Sequence, residues 1–495
     1  MTHSHSDLRR IGLLNDFVRV GHANGSSFAS QFLYRELEAR GREVTVVGPR
    51  DPEAAPHELP QRHLLLESMP LRMHPGVHLA MPTFGGLRRV ARARFDLVLG
   101  QTSNALMDVG VWLRAAHGVP LVMVNTVHLP SVYNALLSER LDRIDAVHAA
   151  FAEHLVPFAE RQTVDAYNRG DGLVVLSPGL KRYWRERGVR VPVHVIGRAV
   201  EPKIFDAVPG ADPFLTLSNA SDTFRSKVRS RGSRCLVVCR LVREKGIARL
   251  LRIFARRIAP ARPEATLALV GDGPDRESFE SLARQLGIAD RRCFAGAKPL
   301  HEMPTWYAHA DLFLYTSLSE TYGQVVTEAL WCGLPVVAFA DGMGVSGQIE
   351  DGVDGALIEP GPDVPWGHSP QTPHGAPLRH VDADQADHGF GSAALRLLAN
   401  RDRRSRWAQM ARTNARRRAD PQACVRRYLE TFEVARRHRL SGDTSPSLSR
   451  ELGLLGRWAG VHTLAATLGL MRKPDRTVSI PDAATWALDG AEQAA

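Results

Sequence analysis

The sequence predicts an α/β protein: two Rossmann-like, doubly wound domains that face a cleft, followed by a helical C-terminal extension. Three observations predict it. Short β-branched apolar runs alternate with amphipathic helical stretches, the pattern of right-handed βαβ units on a parallel sheet covered on both faces. The alternation stops over residues 206–233, a stretch rich in Pro, Gly, Ser and Asp, and then restarts. At 495 residues the chain is also about three times the ~150 residues of an ordinary domain, which allows two cores and a tail.

In chain order, Arg10–Asp16 reads as the first strand and Gly25 lies in the loop after it. Phe28–Arg40 has helical apolar spacing, and Gly41 ends it. Val44–Val47 is a buried β-branched strand, with further strands expected at Phe95–Leu99, Leu121–Val124, Leu173–Leu176 and Val193–Ile196. This first unit covers 1–205 and 206–233 is a linker. The second unit, 234–440, opens on the strand Cys235–Cys239 and continues with strands at Leu267–Val270, Asp311–Tyr315 and Val336–Phe339. Helices are expected at Gly246–Arg256, Arg276–Leu286 and Val325–Trp331, and again from Ala393 to Arg439. Residues 360–388 read as an insert that begins as a surface loop, and 441–495 as a helical tail. In such an architecture a ligand is expected in the crevice at the carboxyl ends of the strands.

Composition narrows the function classes. Apolar residues make up 44% and charged residues 23%, values ordinary for a soluble globular chain. The sequence has no apolar, uncharged stretch long enough to span a membrane. No apolar run follows the polar segment Met1–Arg10, so a secretory leader is not expected. The five Cys form no CxxC pair, which suits a reducing compartment. The expected location is cytoplasmic, with peripheral contact at the inner face of the membrane left open.

Net charge is +10, and residues 401–440 alone hold thirteen Arg against four acids. Such a segment either attracts anionic membranes, nucleic acid or acidic substrates, or is the solvated face of two helices. Basic–aromatic interleaving, zinc spacing and RNP-like runs are missing, so nucleic acid is not an expected partner. Two more segments are membrane candidates. Leu87–Arg94 is short, basic and amphipathic. Trp458–Met471 is uncharged over 14 residues; as a helix of ~21 Å it is too short to cross a ~30 Å hydrocarbon core. It can lie in the interface or pack on the protein.

The chemistry clusters in the second unit. The run Ser319-Glu320-Thr321-Tyr322-Gly323-Gln324-Val325-Val326-Thr327-Glu328 follows a strand directly and enters a helix near Tyr322. A helix N-terminus offers unpaired N–H groups and a positive dipole end to a phosphate, and Gly323 admits an anion close to the backbone. Glu320 and Glu328 flank that position. Each carboxylate can hold a vicinal diol, one a ribose and the other a hexose; the alternative is helix capping and surface solvation. The run Arg240-Leu241-Val242-Arg243-Glu244-Lys245-Gly246 follows the strand Cys235–Cys239. Arg240 and Lys245 there can neutralise a diphosphate and stabilise it as a leaving group, or are two surface cations. Asp382-Ala383-Asp384, with His380, Asp387 and His388 nearby, is a rival divalent-metal motif. It stands at the start of a helical stretch where Asp is a favoured cap, so no metal site is expected.

Together with Leu269-Val270-Gly271-Asp272-Gly273-Pro274, Phe294-Ala295-Gly296 and Gly333-Leu334-Pro335-Val336-Val337, these runs closely resemble the retaining glycosyltransferases of family 4. That family has the GT-B fold, and order and spacing match across roughly residues 10–360. The resemblance implies roles. Arg240 and Lys245 would bind the donor diphosphate, Glu328 the ribose and Glu320 the transferred sugar. Backbone of Tyr322, Gly323 and Gln324 would contact phosphate. Gly271 would line the donor site, and the strand end at Phe294 and Gly296 would meet the nucleobase. Gly25 matches the family's glycine loop near the donor phosphates. His128, in Asn125-Thr126-Val127-His128-Leu129-Pro130, resembles the family's His beside the donor sugar; a lone His there is otherwise a loop residue.

Two departures stand out. Gly197-Arg198-Ala199-Val200-Glu201 replaces the common Asn-Gly-Val-Asp, and a related Gly-Arg-Gly-Val-Asp form belongs to members that build glycolipids. Gly344-Val345-Ser346-Gly347-Gln348 stands where a Glu commonly starts the next helix, so that contact to the donor sugar is not carried over. The implied activity is metal-independent, cofactor-free retaining transfer of a hexosyl group from a UDP-sugar or GDP-sugar to a lipid or saccharide hydroxyl. The rivals are a non-catalytic sugar-nucleotide-binding scaffold and a sugar phosphorylase of the same fold.

Overall fold

The computed structural model describes residues 8–18, 25–70, 78–102, 105–127, 153–154, 156–217, 220–230, 232–318, 320–361 and 382–441, with 456 and 486. Its first sheet is built from β1 (Arg10–Asn15), β2 (Glu43–Pro49), β3 (His63–Leu66), β6 (Leu97–Gln101), β7 (Leu121–Val124), β8 (Gly172–Val175) and β9 (Val193–Val195). A separate hairpin pairs β4 (Ser68–Pro70) with β5 (His78–Ala80). The large sheet runs in the order β3-β2-β1-β6-β7-β8-β9, with every pairing parallel. Its inner strands β1, β6, β7 and β8 are short runs rich in Val and Leu buried on both faces, as parallel sheets require.

The second sheet comprises β10 (Arg234–Val238), β11 (Thr266–Val270), β12 (Arg292–Gly296), β13 (Leu312–Tyr315), β14 (Val336–Phe339) and β15 (Gly355–Ile358). Its order is β12-β11-β10-β13-β14-β15, again all parallel. Each sheet has its own hydrophobic core. In each, the strand order reverses at one point, between β1 and β6 in the first and between β10 and β13 in the second. Loops diverge at such a reversal and leave a crevice.

Several sequence expectations change. The first helix begins at Gly25 and ends at Glu38, so Gly25 opens the helix and is not a loop residue. The stretch read as a linker carries helices at Pro213–Thr216 and Asp222–Arg229, after a turn of helix at Pro202–Phe205. Phe205, Phe214, Phe224 and Val228 bury into the second core. Helices this short show no sustained period; their starts are set by Asp212 and Ser221, which accept from the Phe214 and Phe224 N–H groups.

The Arg-rich segment forms helices Arg401–Arg418 and Pro421–Ser441. Four of its thirteen arginines reach other parts of the protein. Arg418 pairs with buried Asp354 and Arg416 with Asp206, each at 2.7 Å. Arg404 donates to the Leu397 and Leu398 carbonyls, and Arg412 to that of Cys332. The last helix then crosses back and places Val425, Tyr428, Phe432 and Ala435 in the first core. Among the described residues no helix is long and apolar enough to cross a membrane. Trp458–Met471 lies outside them, as does most of the 360–388 insert and of the tail. Trp486 is described: its indole N–H donates to the Val18 carbonyl at 2.7 Å and its ring meets Tyr34 edge-on at 5.3 Å.

Candidate active site

Lys245 and Glu320 are 75 residues apart, yet they meet because β10 and β13 are neighbours across the reversal. Lys245 ends a short turn after β10, and Glu320 lies in the loop between β13 and the next helix. Thr316 staples the two loops by donating to the carbonyls of Lys245, at 3.2 Å, and Gly246, at 3.1 Å. Gly246 makes this approach feasible. Its φ is +68°, and a Cβ there would stand 2.6 Å from the Thr316 carbonyl oxygen. Arg240, at the carboxyl end of β10, is exposed beside the same loop.

The Lys245 Nζ lies 2.5 Å from Glu320 Oε1. The same oxygen accepts from the Tyr315 hydroxyl at 2.6 Å and the Ser317 hydroxyl at 2.9 Å. Burial opposes both charges, but here the pairing wins. Lys245 and the two hydroxyls hold the Glu320 carboxyl below its ordinary pKa, and Glu320 raises that of Lys245. Both groups are therefore ionised at neutral pH.

Glu320 does not cap the following helix. That helix, Gln324–Trp331, starts after Gly323, whose φ is +80°, and among the described residues no side chain caps it. Its first N–H groups and dipole thus face the cleft beside Lys245 and Glu320. Glu328, one turn further in, is only 6% exposed. Burial pushes its carboxyl up to about 7, while a 2.9 Å hydrogen bond from the Tyr307 hydroxyl works the other way. The two glutamates, similar in sequence, have opposite electrostatics because one has a cation and the other does not.

The opposite wall comes from the first unit. Thr321 donates to the Thr126 carbonyl at 3.1 Å, Tyr322 to that of Arg198 at 3.2 Å and Gln324 to that of Ala199 at 3.3 Å. The cleft between is lined by Phe28, Phe32, Gln101, Arg198, Gln324 and Glu328, among others. His128 lies outside the described residues, immediately after Val127. Gly25 opens the helix that carries Phe28 and Phe32.

At the far end, Gly271 has φ +130°, and a Cβ there would collide with the Cys239 carbonyl oxygen. Its N–H bonds the Gly296 carbonyl at 2.9 Å, which ties together the ends of β11 and β12. The Phe294 ring is buried in the core, so only its backbone can face a ligand. The aspartates of the rival metal motif have other work. Asp382 caps a helix through the Gln385 N–H at 2.7 Å, Asp384 pairs with Arg257, and Asp387 with Arg249.

Sequence reasoning missed the supporting residues. Tyr307, Tyr315 and Ser317 carry no local signal as partners of Glu328 and Glu320. Asp341 is buried and accepts from the N–H groups of Met343, Val345 and Ser346, which folds the loop that packs on Tyr322. Gln348, one of the departures from the family pattern, donates to the Tyr322 and Gly344 carbonyls and accepts from Thr327. The Asp followed by glycines was the one available sign of such a turn.

Comparison with known proteins bears on the family and the fold. The family model described as Glycosyltransferase Family 4 matches residues 24–203, and that of the glycosyl transferases group 1 matches 220–364. A GDP-mannose-dependent α-(1-6)-phosphatidylinositol monomannoside mannosyltransferase of Mycolicibacterium smegmatis is 36% identical over 155 residues, 28% of this chain and 39% of that protein. The α-monoglucosyldiacylglycerol synthase of Streptococcus pneumoniae is 25% identical over 353 residues, 70% of this chain and 75% of its own. The chain thus spans less than half of the first relative and three quarters of the second. Among solved structures, sucrose-phosphate synthase from Thermosynechococcus elongatus superposes with a TM-score of 0.61 at 20% identity, covering 86% of this chain and 98% of that one. Anabaena HepE, solved with UDP and glucose, gives 0.61 at 18% identity, covering 86% and 99%. With two parallel sheets facing one cleft and both family models matched in order, the chain belongs to the family 4 glycosyltransferases and has their GT-B fold.

Proposed function

We propose that this chain transfers a hexosyl group, with retention and without a metal, from a UDP-sugar or GDP-sugar to a hydroxyl acceptor. One observation carries the reading: Lys245 stands 2.5 Å from Glu320, beside a helix start that no side chain caps among the described residues. Cleavage of the donor leaves a nucleoside diphosphate, whose growing negative charge needs fixed positive groups. Lys245, Arg240 and the N–H groups at Gln324 supply them. On donor entry Lys245 exchanges Glu320 for phosphate, which frees Glu320 to accept from sugar hydroxyls. The bond from the anomeric carbon to the diphosphate oxygen breaks, and the acceptor oxygen bonds that carbon on the same face. The acceptor's proton passes to the departing phosphate oxygen, so no side-chain nucleophile is required.

The GDP-mannose-dependent relative and the glucosyl lipid synthase support a mannose-type or glucose-type donor and a lipid acceptor. A membrane-facing surface fits that acceptor. The helix Phe84–Arg92 exposes Phe84 at 82%, next to Met81 at 47%, with Arg88 and Arg92 on its open side. Apolar tips ringed by Arg suit an anionic lipid interface. The inward pairs of Arg404, Arg412, Arg416 and Arg418 shift that role away from the C-terminal helices.

The test is incubation with radiolabelled GDP-mannose or UDP-glucose and a lipid extract, with the product anomer read by NMR. Release of nucleotide with an α-linked product from an α-linked donor is the expected result. Nucleotide binding without turnover would favour the scaffold reading, and a strict requirement for inorganic phosphate the phosphorylase.

A further inference from the structure

Among the described residues, Arg198 is the charged side chain of the cleft wall that makes no hydrogen bond or ion pair, and the Glu320 carboxylate acts on it only through space. Of the other charges there, Glu201 is paired with Arg35 and Glu328 accepts from Tyr307. Among the described residues no carboxylate or carbonyl accepts from the Arg198 guanidinium, and its Nε is buried with no hydrogen-bond partner. Burial holds its pKa below the ordinary arginine value, a sign of a charge kept in poorly solvated surroundings. An arginine is charged at any physiological pH, so this site carries a standing demand for an anion.

Its position is fixed from three sides. The Tyr322 hydroxyl donates to the Arg198 carbonyl, Gln324 to that of Ala199, and the Cys424 thiol lies 3.5 Å from the Gly197 carbonyl oxygen. Tyr322 and Gln324 flank Gly323 at the uncapped helix start, so the arginine is held to the segment that would receive a phosphate. On the second unit's side, Lys245 is paired with Glu320.

We propose that Arg198 binds a phosphoryl group of a substrate, entering from the first unit's side of the cleft opposite Lys245. The group is either the donor's diphosphate or a phosphate carried by the acceptor. The inference rests on the transferase reading above. A planar guanidinium bonds two phosphate oxygens side by side, so Arg198→Lys should recover only part of what Arg198→Gln loses.

Calorimetric titration of UDP and GDP, and of uridine and guanosine, into wild type and both variants tests it. Loss of one charge-assisted contact should weaken the nucleoside diphosphate by about 10- to 100-fold, with the nucleoside unchanged. That result supports the donor source. Unchanged nucleotide affinity, together with lost binding of inorganic phosphate to the UDP- or GDP-saturated protein, supports the acceptor source. Arg198→Gln protein that binds both probes like wild type overturns the inference. Wild type that binds no nucleoside diphosphate at all overturns instead the transferase reading on which it rests. Equal thermal midpoints for Arg198→Lys and wild type separate a lost contact from a lost fold.

Discussion

Replacing Glu328 by Gln should make the protein more stable at alkaline pH and not at acid pH. An unfolded glutamate ionises near 4.5, whereas burial holds the Glu328 proton in the fold to about 7. Between those values the folded chain binds the extra proton, so a rise in pH withdraws stability. The loss starts above the unfolded value and is complete above the folded one. Each unit of difference corresponds to about 1.4 kcal/mol, so the carboxylate costs about 3 kcal/mol at pH 8.5 and little at pH 5. A glutamine side chain cannot ionise, and its amide oxygen can still accept from Tyr307. Whatever the amide does to packing is common to both pH values and cancels in the difference. The advantage of Glu328→Gln over wild type should therefore grow by about 2–3 kcal/mol between pH 5 and pH 8.5. For a unit of this size that is a gain of ~5 °C or more in thermal midpoint. A difference between the two proteins that does not change with pH would refute the reasoning. The same group links to the ligand. Ribose hydroxyls bonding the carboxylate favour its ionised form, so nucleotide binding near pH 7 should release part of a proton. Calorimetry in two buffers of different ionisation enthalpy reads that number, and a value of zero would detach Glu328 from the ribose.

Lys245→Ala and Arg240→Ala should each lower turnover by about 10²–10³-fold, or ~3–4 kcal/mol of barrier, with the circular dichroism spectrum unchanged; wild-type turnover in either would remove the leaving-group assignment. Transfer should persist in EDTA, and activity lost on chelation but restored by Mn²⁺ would return attention to Asp382 and Asp384. Gly246→Ala forces a left-handed residue to carry a Cβ 2.6 Å from the Thr316 carbonyl, so it should lower the urea midpoint and turnover together; an unchanged midpoint would mean that the Lys245 loop is not held as described. Co-sedimentation with anionic vesicles should be strong at low salt, weak at high salt and lost in a Phe84→Ser, Arg88→Glu double variant. No pelleting at low salt would exclude the membrane surface.

The fold was legible because each parallel strand is a short buried apolar run that stands out from helical periodicity. Leu121–Val124 and Val336–Phe339 are read to the residue, and β10, β11 and β13 to within one. The failures share a cause. His63–Leu66, Pro213–Thr216 and Asp222–Arg229 are too short to establish a period, and tertiary burial of Phe214 and Phe224 sets the two helices. Charge counting failed similarly along 401–440. It registers thirteen arginines but not that Arg418 reaches Asp354 while Arg417 faces water.

The candidate site divides along the same line. Each half, Arg240–Gly246 and Glu320–Glu328, was readable as a loop after a strand, since a loop's chemistry is written in its own residues. That the halves touch depends on β10 lying next to β13, which no local pattern encodes. Gln348 shows the remaining gap most clearly. In the sequence it marks only the loss of a familiar glutamate. In the fold its amide nitrogen donates to the Tyr322 and Gly344 carbonyls, while its oxygen accepts from Thr327. A carboxylate at this position would have no hydrogen to donate and would face two carbonyl oxygens in a buried pocket. The amide is therefore what lets the loop after β14 close on the loop after β13, and it sets the shape of the turn that Tyr322 and Gly323 present to the cleft.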